Sequence, residues 1–280
     1  MLTRYSAKGA SSRLRSIQYV PLLESNGFDV SIKPLFNDKY LRDLYSGKRK
    51  SIFKLLWAYC RRLLQIVSIR EFDIIWIEKE LFPYLPGVFE NLIQITGVPY
   101  IVDYDDAIPH NYDENAKPIV RLFLSGKLKS LISNAHLITV GNSYLADLVK
   151  IEGAKKTVII PTAIDSDKYQ NAFLERDATV RIGWIGTPQT QHYLNIVLPA
   201  LEELSKYKEF VLVTIGAHTI STSGFRVDCQ EWHEHSEVKS LDEIDIGIMP
   251  LNDNPWDNGK CGYKLIQYMA LGKPVVASPV

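Results

Sequence analysis

Cysteine, net charge and long apolar runs are all scarce in this sequence of 280 residues. Cys60, Cys229 and Cys261 lie far apart and form no CxxC pair, which argues against a disulfide framework or a zinc site and favours a reducing compartment. The 32 basic and 32 acidic residues cancel, so overall charge does not point to nucleic acid. No apolar run approaches the roughly 18 residues of a membrane span, and the opening MLTRYSAKGASS lacks a signal-peptide core. These absences predict a cytoplasmic protein.

What the sequence does contain is a recurring unit of a short apolar strand, a loop and an amphipathic helix. Several strands are apolar throughout, as is typical of parallel strands covered on both faces, so the pattern predicts an α/β fold with doubly wound parallel sheets. The predicted strands are Val30–Ile32, Ile74–Ile77, Tyr100–Val102, Leu137–Val140, Val158–Ile160, Arg181–Ile185, Phe210–Thr214, Ile244–Met249 and Pro274–Ala277. The predicted helices include Leu14–Asn26, Ile119–Asn134, Ser143–Glu152, Tyr193–Tyr207 and Tyr263–Leu271.

A polar stretch divides the chain into two halves. Residues 165–178 carry no strand pattern, and VRIGWIG then begins a new strand and glycine turn. We therefore predict a Rossmann-like domain at 1–165, a linker at 166–178 and a second Rossmann-like domain at 179–280. Ligands of such folds bind beyond the carboxyl ends of the strands, so the two sheets are expected to face a cleft. Because the chain opens on MLTRY and stops at PVVASPV, we interpret it as a fragment whose second domain is incomplete.

The strongest functional pattern is NGKCGYKLIQYMALGKPVVAS at residues 258–278. Lys260 and Lys264 place positive charge at a helix N-terminus, which opposes the macrodipole by roughly 0.3–1 kcal/mol per charge. Backbone amides and two lysines at one place favour a bound anion such as a diphosphate. The alternative is that both lysines are solvated. On the helix, we expect Lys264, Gln267 and Tyr268 to share one face while Leu265 and Met269 point to the core.

The stretch Gln267–Ala277, QYMALGKPVVA, resembles the Glu-Ala-Met-Ala-x-Gly-x-Pro-Val-Val-Ala signature of the retaining GT-B enzymes of glycosyltransferase family 4. The resemblance implies a GT-B fold with the nucleotide-sugar donor in the second domain and the acceptor in the first. In that family a Glu-x7-Glu pair contacts the donor sugar and then the ribose, and those positions are Gly259 and Gln267 here. Gln267 can still bind a ribose hydroxyl. Gly259 offers no side chain, and Asp257 is the candidate to replace it.

A glycine turn in the second half looks like the family's first strand and turn. It reads GWIGTP at residues 183–188, directly before a predicted helix. The resemblance assigns Gly186 and Thr187 to the donor phosphates.

A second turn, KGASSR at residues 8–13, lies in the first strand-to-helix connection. Bare amides, hydroxyls and a guanidinium suit an oxyanion, and the resemblance places this loop at the donor diphosphate, so Gly9 and Arg13 are donor candidates. A plain helix N-cap by Ser11 or Ser12 is an equally good local account.

The loop DYDDAIPH at residues 103–110 follows a predicted strand. Clustered carboxylates and a histidine suit a general base, a metal site or an acceptor loop. The resemblance favours acceptor binding and catalysis, which assigns Asp105, Asp106 and His110 to that role. A turn with solvated aspartates is the alternative. The stretch EKE at residues 78–80 also follows a strand and is expected to line the same cleft.

The chemical task is to stabilise the leaving diphosphate. Lys260, Lys264 and the helix amides at Gly262 and Tyr263 suit this electrostatic role, with Lys264 as the catalytic cation and Gln267 on the ribose. We expect no metal and no cofactor beyond the nucleotide-sugar substrate. The histidines without metal-ligand spacing are His136, His192, His218, His233 and His235.

Between Lys39 and Arg70 there are nine Lys or Arg residues and one acid, Asp43. Two interpretations are open: a helix that lies on an anionic membrane surface, or a helix packed on its own sheet with a solvated basic rim. Nucleic acid is disfavoured, since no matching motif accompanies the charge. The interleaved apolar residues are Phe53, Leu55, Leu56, Trp57, Tyr59, Leu63 and Leu64.

Together these patterns predict a retaining hexosyl-type glycosyltransferase that uses a UDP- or GDP-sugar. The expected acceptor is a glycan or lipid-linked glycan in cell-surface polysaccharide or glycolipid synthesis. The expected location is cytoplasmic, with peripheral attachment to the inner face of the membrane if the basic segment docks there. The alternatives are a GT-B sugar-nucleotide epimerase, which needs no acceptor, and a non-catalytic nucleotide-sugar-binding or scaffold protein.

Overall fold

A computed structural model describes residues 1–47, 51–169 and 178–280, and these residues form two compact units. Unit 1 contains Met1–Thr162 and Asn258–Cys261, and unit 2 contains Ala163–Asp257 and Gly262–Val280. The segment 258–261 therefore belongs with unit 1, whereas the sequence places it in the second domain. Most of the predicted linker, residues 170–177, lies outside the described ranges, so the linker stays a prediction.

Unit 1 is built on a parallel sheet whose described strands follow chain order. They are β1 (Ile75–Glu78), β2 (Tyr100–Tyr104), β3 (Leu137–Val140) and β4 (Thr157–Ile159), in the order β1-β2-β3-β4. Pairing places Ile77 opposite Val102 and Val102 opposite Ile138, and all three side chains are buried. Burial of such rows explains why these strands are apolar throughout.

The N-terminal residues extend this sheet past β1. Leu2 forms a parallel bridge with Ile77, and Lys33 N donates to Met1 O at 2.8 Å on the other side of the same segment. The predicted strand Val30–Ile32 is wrong, because scattered backbone hydrogen bonds rather than a continuous ladder hold this stretch and residues 30–34 form no regular element. Segment 1–5 thus separates residues 31–36 from β1, and the strand order reverses there.

Among the described residues, the α-helices of unit 1 are α1 (Ala10–Arg15), α2 (Val20–Ser25), α3 (Asp38–Tyr45), α4 (Ile52–Val67), α5 (Gly87–Glu90), α6 (His110–Asp113), α7 (Pro118–Leu124), α8 (Lys129–Asn134) and α9 (Ser143–Ile151). The 3-10 turns of this unit are Ile17–Tyr19, Ser68–Glu71 and Asn91–Thr96. The predicted helix Leu14–Asn26 is broken into α1 and α2, because Pro21 suits a first turn rather than a helix interior. The predicted helix Ile119–Asn134 is broken into α7 and α8, since Gly126 between them has a left-handed φ of +71°.

Unit 2 holds a parallel sheet in which the strand order also reverses. Its described strands are β5 (Val180–Ile185), β6 (Phe210–Ile215), β7 (Arg226–Gln230), β8 (Ile246–Met249) and β9 (Val275–Ala277), in the order β7-β6-β5-β8-β9. The sequence missed β7, because this strand lies at the sheet edge, is partly exposed and has no apolar run. Buried clusters around Trp184 and around Tyr268 fill the core of unit 2, which confirms the prediction of covered parallel strands.

The described α-helices that follow are α10 (Leu198–Leu204), α11 (Glu237–Asp242), α12 (Pro255–Asn258) and α13 (Tyr263–Ala270), with 3-10 turns at Ser166–Lys168 and Gln191–Ile196. The predicted helix Tyr193–Tyr207 is split, because Pro199 lies in the first turn of α10. Every helix in the described ranges is too short or too polar to span a bilayer.

Candidate functional site

The carboxyl edge of the unit 2 sheet is the natural place for a ligand. Strands β5 and β8 are neighbours at the point where the strand order reverses, and open parallel α/β sheets bind ligands beyond the carboxyl ends of strands at such points. Helices α11 and α13 each follow a strand of this sheet. Their N-termini therefore lie at that same edge.

The turn after β5 uses its glycine for packing. A Cβ on Gly186 would lie 2.3 Å from the Trp184 ring, so no larger residue fits. Gly186 N donates to Ile215 O at 3.0 Å, and Thr187 N donates to Thr190 Oγ1 at 3.1 Å. Both amides are thus hydrogen-bonded within unit 2, and the assignment of Gly186 and Thr187 to donor phosphates stays a prediction.

Helix α13 is fixed against the sheet by Tyr268. This side chain is fully buried, its hydroxyl accepts from Ile185 N at 3.1 Å, and a Cβ on Gly247 would lie 2.3 Å from its ring. Met269 is 55% exposed, so the prediction that it points to the core is wrong, whereas Leu265 packs against the Tyr268 cluster as predicted. The face that Tyr268 shares with Gln267 packs inward instead.

The start of α13 combines a left-handed glycine with a lysine. Gly262 is the N-cap with φ +64°, a conformation that a side chain disfavours. In the first turn, Lys264 Nζ lies 4.5 Å from the centroid of the buried Trp184 ring, a cation–π distance. The lysine that the sequence predicts at this helix start is therefore positioned by unit 2 itself.

Gln267 is the centre of a buried polar network. It is 2% exposed, and its Nε2 donates to Tyr169 Oη at 2.9 Å and to Glu237 Oε1 at 3.0 Å. The hydroxyls of Tyr169 and Tyr263 are 3.1 Å apart, and Trp232 Nε1 donates to Glu237 Oε2 at 2.6 Å. We call these five residues the Gln267 network. It surrounds one carboxylate with neutral donors.

The network explains why a glutamine stands at position 267. A glutamate there would bring a second carboxylate to hydrogen-bond distance of Glu237, and two such groups cannot both ionise without a large cost. Glu237 is also the first residue of α11, where a negative charge is favoured by the helix dipole. Sequence reasoning missed Tyr169, Trp232 and Glu237, and the one available signal was the neutral residue where the family has an acid.

In unit 1, Gly259 is required by packing. A Cβ at this position would lie 2.7 Å from Ala107 Cβ and 2.9 Å from Ala107 N, closer than real contacts allow. The family's first glutamate therefore cannot be accommodated here without a shift of the backbone at Ala107.

Asp257 does not supply the missing carboxylate. It is buried in unit 2, where it accepts from the Tyr193 hydroxyl, from Asn252 N at 3.2 Å and from Asn254 Nδ2 at 2.9 Å. Both of its oxygens are used in shaping the turn before α12. The expectation that Asp257 replaces the glutamate is not supported by this geometry.

The loops after β1 and β2 form an ionic cluster with the 258–261 segment. Asp106 lies between two ammonium groups, 2.6 Å from Lys79 Nζ and 2.7 Å from Lys260 Nζ. Lys79 Nζ is also 2.9 Å from Asp105 Oδ1, and Asn142 Nδ2 donates to Lys260 O at 3.1 Å. We call Lys79, Asp105, Asp106 and Lys260 the ionic cluster. Two acids and two bases thus balance one another inside unit 1.

The balance fixes the charge state of the cluster. Burial alone would raise the pKa of Asp106, but Lys260 and Lys79 outweigh it and hold that pKa well below its usual range. Burial would lower the pKa of Lys79, whereas Asp105 and Asp106 raise it above its usual range. A carboxylate with a depressed pKa is a poor proton acceptor, so Asp106 is suited to holding cations and not to acting as a general base.

Lys79 also has an unusual backbone conformation. Its φ is +64°, which for a residue with a Cβ costs about 1 kcal/mol. The strain is maintained by Lys79 N, which donates to Asp103 O at 2.9 Å, and by the ammonium contacts. Such outliers concentrate at functional sites.

Cys261 ends the 258–261 segment and lies against the same loop. Its Sγ donates to Asp105 O at 3.2 Å. Burial, ahead of repulsion from Asp105 and Asp106, raises the pKa of Cys261 to about 12. The thiol is therefore protonated at neutral pH and helps to seat the segment.

The loop after segment 1–5 differs from its prediction. The N-cap of α1 is Gly9, whose Cβ would lie 2.5 Å from Tyr5 Cβ, so the predicted serine N-cap is wrong. Ser12 instead donates to Glu78 Oε2 at 2.6 Å, and Ser11 accepts from Lys79 Nζ at 3.0 Å. Gly9 as a donor contact stays a prediction.

The buried arginine of α1 is Arg15, which sequence reasoning missed. Its Nη2 and Nε contact the two oxygens of Asp103 at 2.7 and 3.0 Å, and its Nη1 donates to Ile160 O at 2.6 Å. This bidentate pair ties α1 to the end of β2. Arg13, the predicted donor residue, donates to Ala7 O at 3.3 Å on the surface.

The predicted cleft residues Glu78 and Glu80 are buried. Glu78 accepts from Arg4 N at 2.8 Å, and burial raises its pKa. Glu80 accepts from the Tyr112 hydroxyl at 2.6 Å and from Lys127 Nζ at 2.9 Å. Both carboxylates therefore serve the interior of unit 1, and Lys79 alone of this triplet joins the ionic cluster.

His110 takes partners outside the ionic cluster. As the first residue of α6, it has Nδ1 3.0 Å from Asp113 Oδ1 and Nε2 3.0 Å from the Tyr144 hydroxyl. The structure therefore brings together Asp105, Asp106 and Lys260, and it engages His110 elsewhere in unit 1.

Within the described ranges, no group of three or more His, Cys, Asp or Glu side chains is arranged to hold a metal ion. Metal independence stays a prediction.

No family model matches the chain, and no curated protein matches it by sequence. Solved structures do match nearly the whole chain. A sucrose-phosphate synthase from Thermosynechococcus elongatus is 14% identical, with 99% of this chain and 78% of that chain covered and a TM-score of 0.65. The similarity therefore lies in the three-dimensional structure, whereas sequence identity is low. The chain has the GT-B fold.

Two further solved structures are similar to this chain. HepE from Anabaena, solved in complex with UDP, is 14% identical over 94% of this chain and 71% of that chain, with a TM-score of 0.53. A putative UDP-N-acetylglucosamine 2-epimerase from Listeria monocytogenes is 9% identical over 99% and 78% of the two chains, with a TM-score of 0.58. At these identities the likeness concerns fold alone.

Proposed function

We propose that this protein is a retaining glycosyltransferase that moves a sugar from a UDP- or GDP-sugar to an acceptor hydroxyl. The observation that carries the proposal is the Gln267 network at the carboxyl edge of unit 2. Packing does not require a half-buried carboxylate held by Gln267, Tyr169 and Trp232, because apolar side chains fill such space at lower cost. A polar constellation at the switch point of an α/β sheet is suited to a polar ligand.

The donor would be bound by unit 2. Ribose hydroxyls both donate and accept hydrogen bonds, as do the tyrosine hydroxyls and the amide of the Gln267 network. The diphosphate would lie at the first turn of α13, where Lys264 is held over Trp184 and the helix dipole favours an anion. The proposed ribose contact at Gln267 and the proposed diphosphate contact at Lys264 both lie on α13, which suits a nucleoside diphosphate.

The chemistry then needs charge stabilisation more than proton transfer. The bond between the anomeric carbon and the diphosphate oxygen breaks, and the acceptor oxygen takes its place on the same face of the sugar. The electron pair of the broken bond stays on the departing diphosphate oxygen, which takes the proton of the acceptor hydroxyl, and a positioned ammonium stabilises the charge that develops there. We assign this role to Lys264. No metal or further cofactor is part of the proposal.

The acceptor would be bound by unit 1, with Asp105 and Asp106 as its polar contacts. Since Asp106 has a depressed pKa, it would hold Lys260 and orient the acceptor without removing its proton. A glycan or lipid-linked glycan of the cell surface is the acceptor class that we propose.

Titration calorimetry with UDP, GDP and their sugars tests the proposal. We expect one of these nucleotides to bind, and Lys264→Met to weaken that binding by about tenfold because a charge-assisted contact is lost. Lys239→Met is the matched control, since Lys239 is an exposed lysine on α11 of the same unit. Binding by neither UDP nor GDP, or equal loss in both variants, would contradict the donor site.

Product analysis with a radiolabelled donor and an acceptor extract separates the alternatives. Transfer of label to the extract supports a glycosyltransferase, and α- or β-configuration of the product tests retention. Release of free sugar from UDP-N-acetylglucosamine without acceptor would instead indicate an epimerase. Nucleotide binding with no turnover of any donor would indicate a binding protein.

A further inference from the structure

Helix α4 has apolar side chains on two opposite sides. Ala58, Tyr59 and Ile66 are buried in unit 1, as the packed side of any amphipathic helix would be. The outward side carries a second apolar row, which we call the α4 stripe. It consists of Phe53 (80% exposed), Leu56 (53%), Trp57 (63%), Cys60 (exposed), Leu64 (69%) and Val67 (76%).

The stripe runs the length of the helix. Its members follow one another at helical spacings, so they lie along a single line of the α4 surface. Single exposed apolar residues are ordinary, but a continuous row of large ones marks an interaction surface. The buried side of α4 already accounts for its packing, so the α4 stripe needs a separate explanation.

The apolar surface continues past the end of α4. Helix α4 packs against residues 91–96, and Arg70 Nη2 donates to Ile95 O at 3.4 Å. Ile95 is itself 70% exposed. The exposed apolar row is therefore extended at its C-terminal end, where an arginine lies at its border.

The charges around the α4 stripe are mainly basic, with Asp43 of α3 as an acidic neighbour. Residues 51–70 include four basic residues and no acidic one. Lys54 and Arg61 are seven residues apart and so lie on the same flank of the helix. The Arg61 guanidinium lies 5.8 Å from the Trp57 ring centroid and donates to Pro34 O and Leu35 O at 2.9 and 2.8 Å. Lys54 is paired with the partly exposed Asp43 of α3 at 2.8 Å.

We propose that the α4 stripe docks unit 1 on an anionic lipid surface. Phe53 and Trp57 would enter the interface between headgroups and acyl chains, and the lysine and arginine flank would lie among the headgroups. This composition is typical of helices that lie in a membrane interface. A second copy of the chain is a poorer occupant, because a two-fold contact would bring like-charged flanks together. The proposal does not depend on the proposed glycosyltransferase activity.

Vesicle flotation of the full chain tests this docking. We expect the protein to float with vesicles of phosphatidylcholine containing phosphatidylglycerol, to float much less with phosphatidylcholine alone, and to be released by high salt. Leu64→Glu should lower the partition coefficient by about tenfold, because it places a charge in the row that enters the interface. Leu122→Glu is the matched control, since Leu122 is an equally exposed leucine (77%) of unit 1 on α7, outside the α4 stripe.

Three outcomes would overturn the proposal. The first is no flotation with anionic vesicles, and the second is equal loss from Leu64→Glu and Leu122→Glu. The third is self-association in the absence of lipid, measured by sedimentation velocity, that Leu64→Glu abolishes, because a second copy would then cover the stripe. Circular dichroism of both variants establishes that each is folded.

Discussion

The ionic cluster of unit 1 and the Gln267 network of unit 2 hold their carboxylates by opposite means. In unit 1 the ionic cluster sets two carboxylates against two ammonium groups, with every contact 2.9 Å or shorter. In unit 2 the Gln267 network surrounds the single carboxylate of Glu237 with neutral donors. The first arrangement neutralises itself, whereas the second keeps one charge and several hydroxyls in a fixed geometry.

This difference indicates a division of tasks. A self-neutralised cluster fixes the loops that carry it. Removal of one charged group lowers the stability of the fold, because it leaves the opposite charge uncompensated. A network of neutral donors can exchange a partner for a ligand hydroxyl at little electrostatic cost. We therefore expect substitutions in the ionic cluster to change mainly the free energy of unfolding, and substitutions in the Gln267 network to change mainly the affinity for a nucleotide.

The largest expected effect is that of Lys79→Met. It leaves the half-buried carboxylates of Asp105 and Asp106 beside each other without the buried ammonium group of Lys79, and removing one partner of a buried ion pair costs about 3–5 kcal/mol. Urea unfolding followed by circular dichroism measures the loss. Lys150→Met is the control, because the Lys150–Asp147 pair is exposed and should be worth less than about 1 kcal/mol. Equal losses in the two variants would show that the ionic cluster does not hold unit 1 together.

A smaller effect is expected from Gln267→Glu in unit 2. The new carboxylate would face Glu237 at hydrogen-bond distance, which costs about 2 kcal/mol of stability and weakens nucleotide binding. The double variant Gln267→Glu/Glu237→Gln should recover most of the stability, because the two positions then exchange roles. Urea unfolding and calorimetry on the single and double variants measure this coupling.

Gln94→Glu serves as the control for that cycle. Gln94 donates to Ser130 Oγ at 2.9 Å in unit 1, so the same chemical change meets no nearby carboxylate in that contact. If the double variant is no more stable than Gln267→Glu alone, repulsion from the Glu237 carboxylate does not cause the loss of stability in Gln267→Glu.

The smallest effect is a difference in pH dependence. The pKa of Asp106 is lower in the folded chain than its ordinary value of 3.8, so its stabilisation is present above that value and is lost as pH falls further. The stability gap between the unmodified chain and Asp106→Asn should therefore narrow as the pH is lowered below about 4. Urea midpoints across that range provide the measurement. A gap independent of pH would mean that the pKa of Asp106 is the same in the folded and the unfolded chain, so that Lys79 and Lys260 do not lower it.

Much of the fold could be predicted from the sequence. Continuous apolar strands alternating with helices point to parallel sheets, and eight of the nine described strands have a predicted counterpart. The helix breaks at Pro21 and Gly126 were also within reach, because both residues interrupt a helical pattern for simple stereochemical reasons. The edge strand β7 was not, since partial exposure leaves it without the apolar run that identifies the others.

The candidate site was less predictable. The sequence of residues 259–264 indicates a polar, basic segment. It does not indicate that Lys260 pairs with Asp106 or that Lys264 lies over Trp184, because both partners are distant in the chain. The sequence alone does not indicate which of Arg13 and Arg15 is buried. The ion pair of Arg15 with Asp103, which lies far away in the chain, decides it. Contacts between residues far apart in the chain depend on tertiary structure, so spacing cannot reveal them.

The tight packing around Gly259 restricts the order in which substitutions can be introduced at positions 107 and 259. A designer who wishes to install the glutamate of the Glu-x7-Glu pattern cannot begin at position 259, because the first added carbon already collides with Ala107. Ala107→Gly relieves the contact with the methyl group, and the backbone N of residue 107 must then move as well. Residue 107 therefore has to change before residue 259 can, and a library that varies position 259 alone should retain only glycine there.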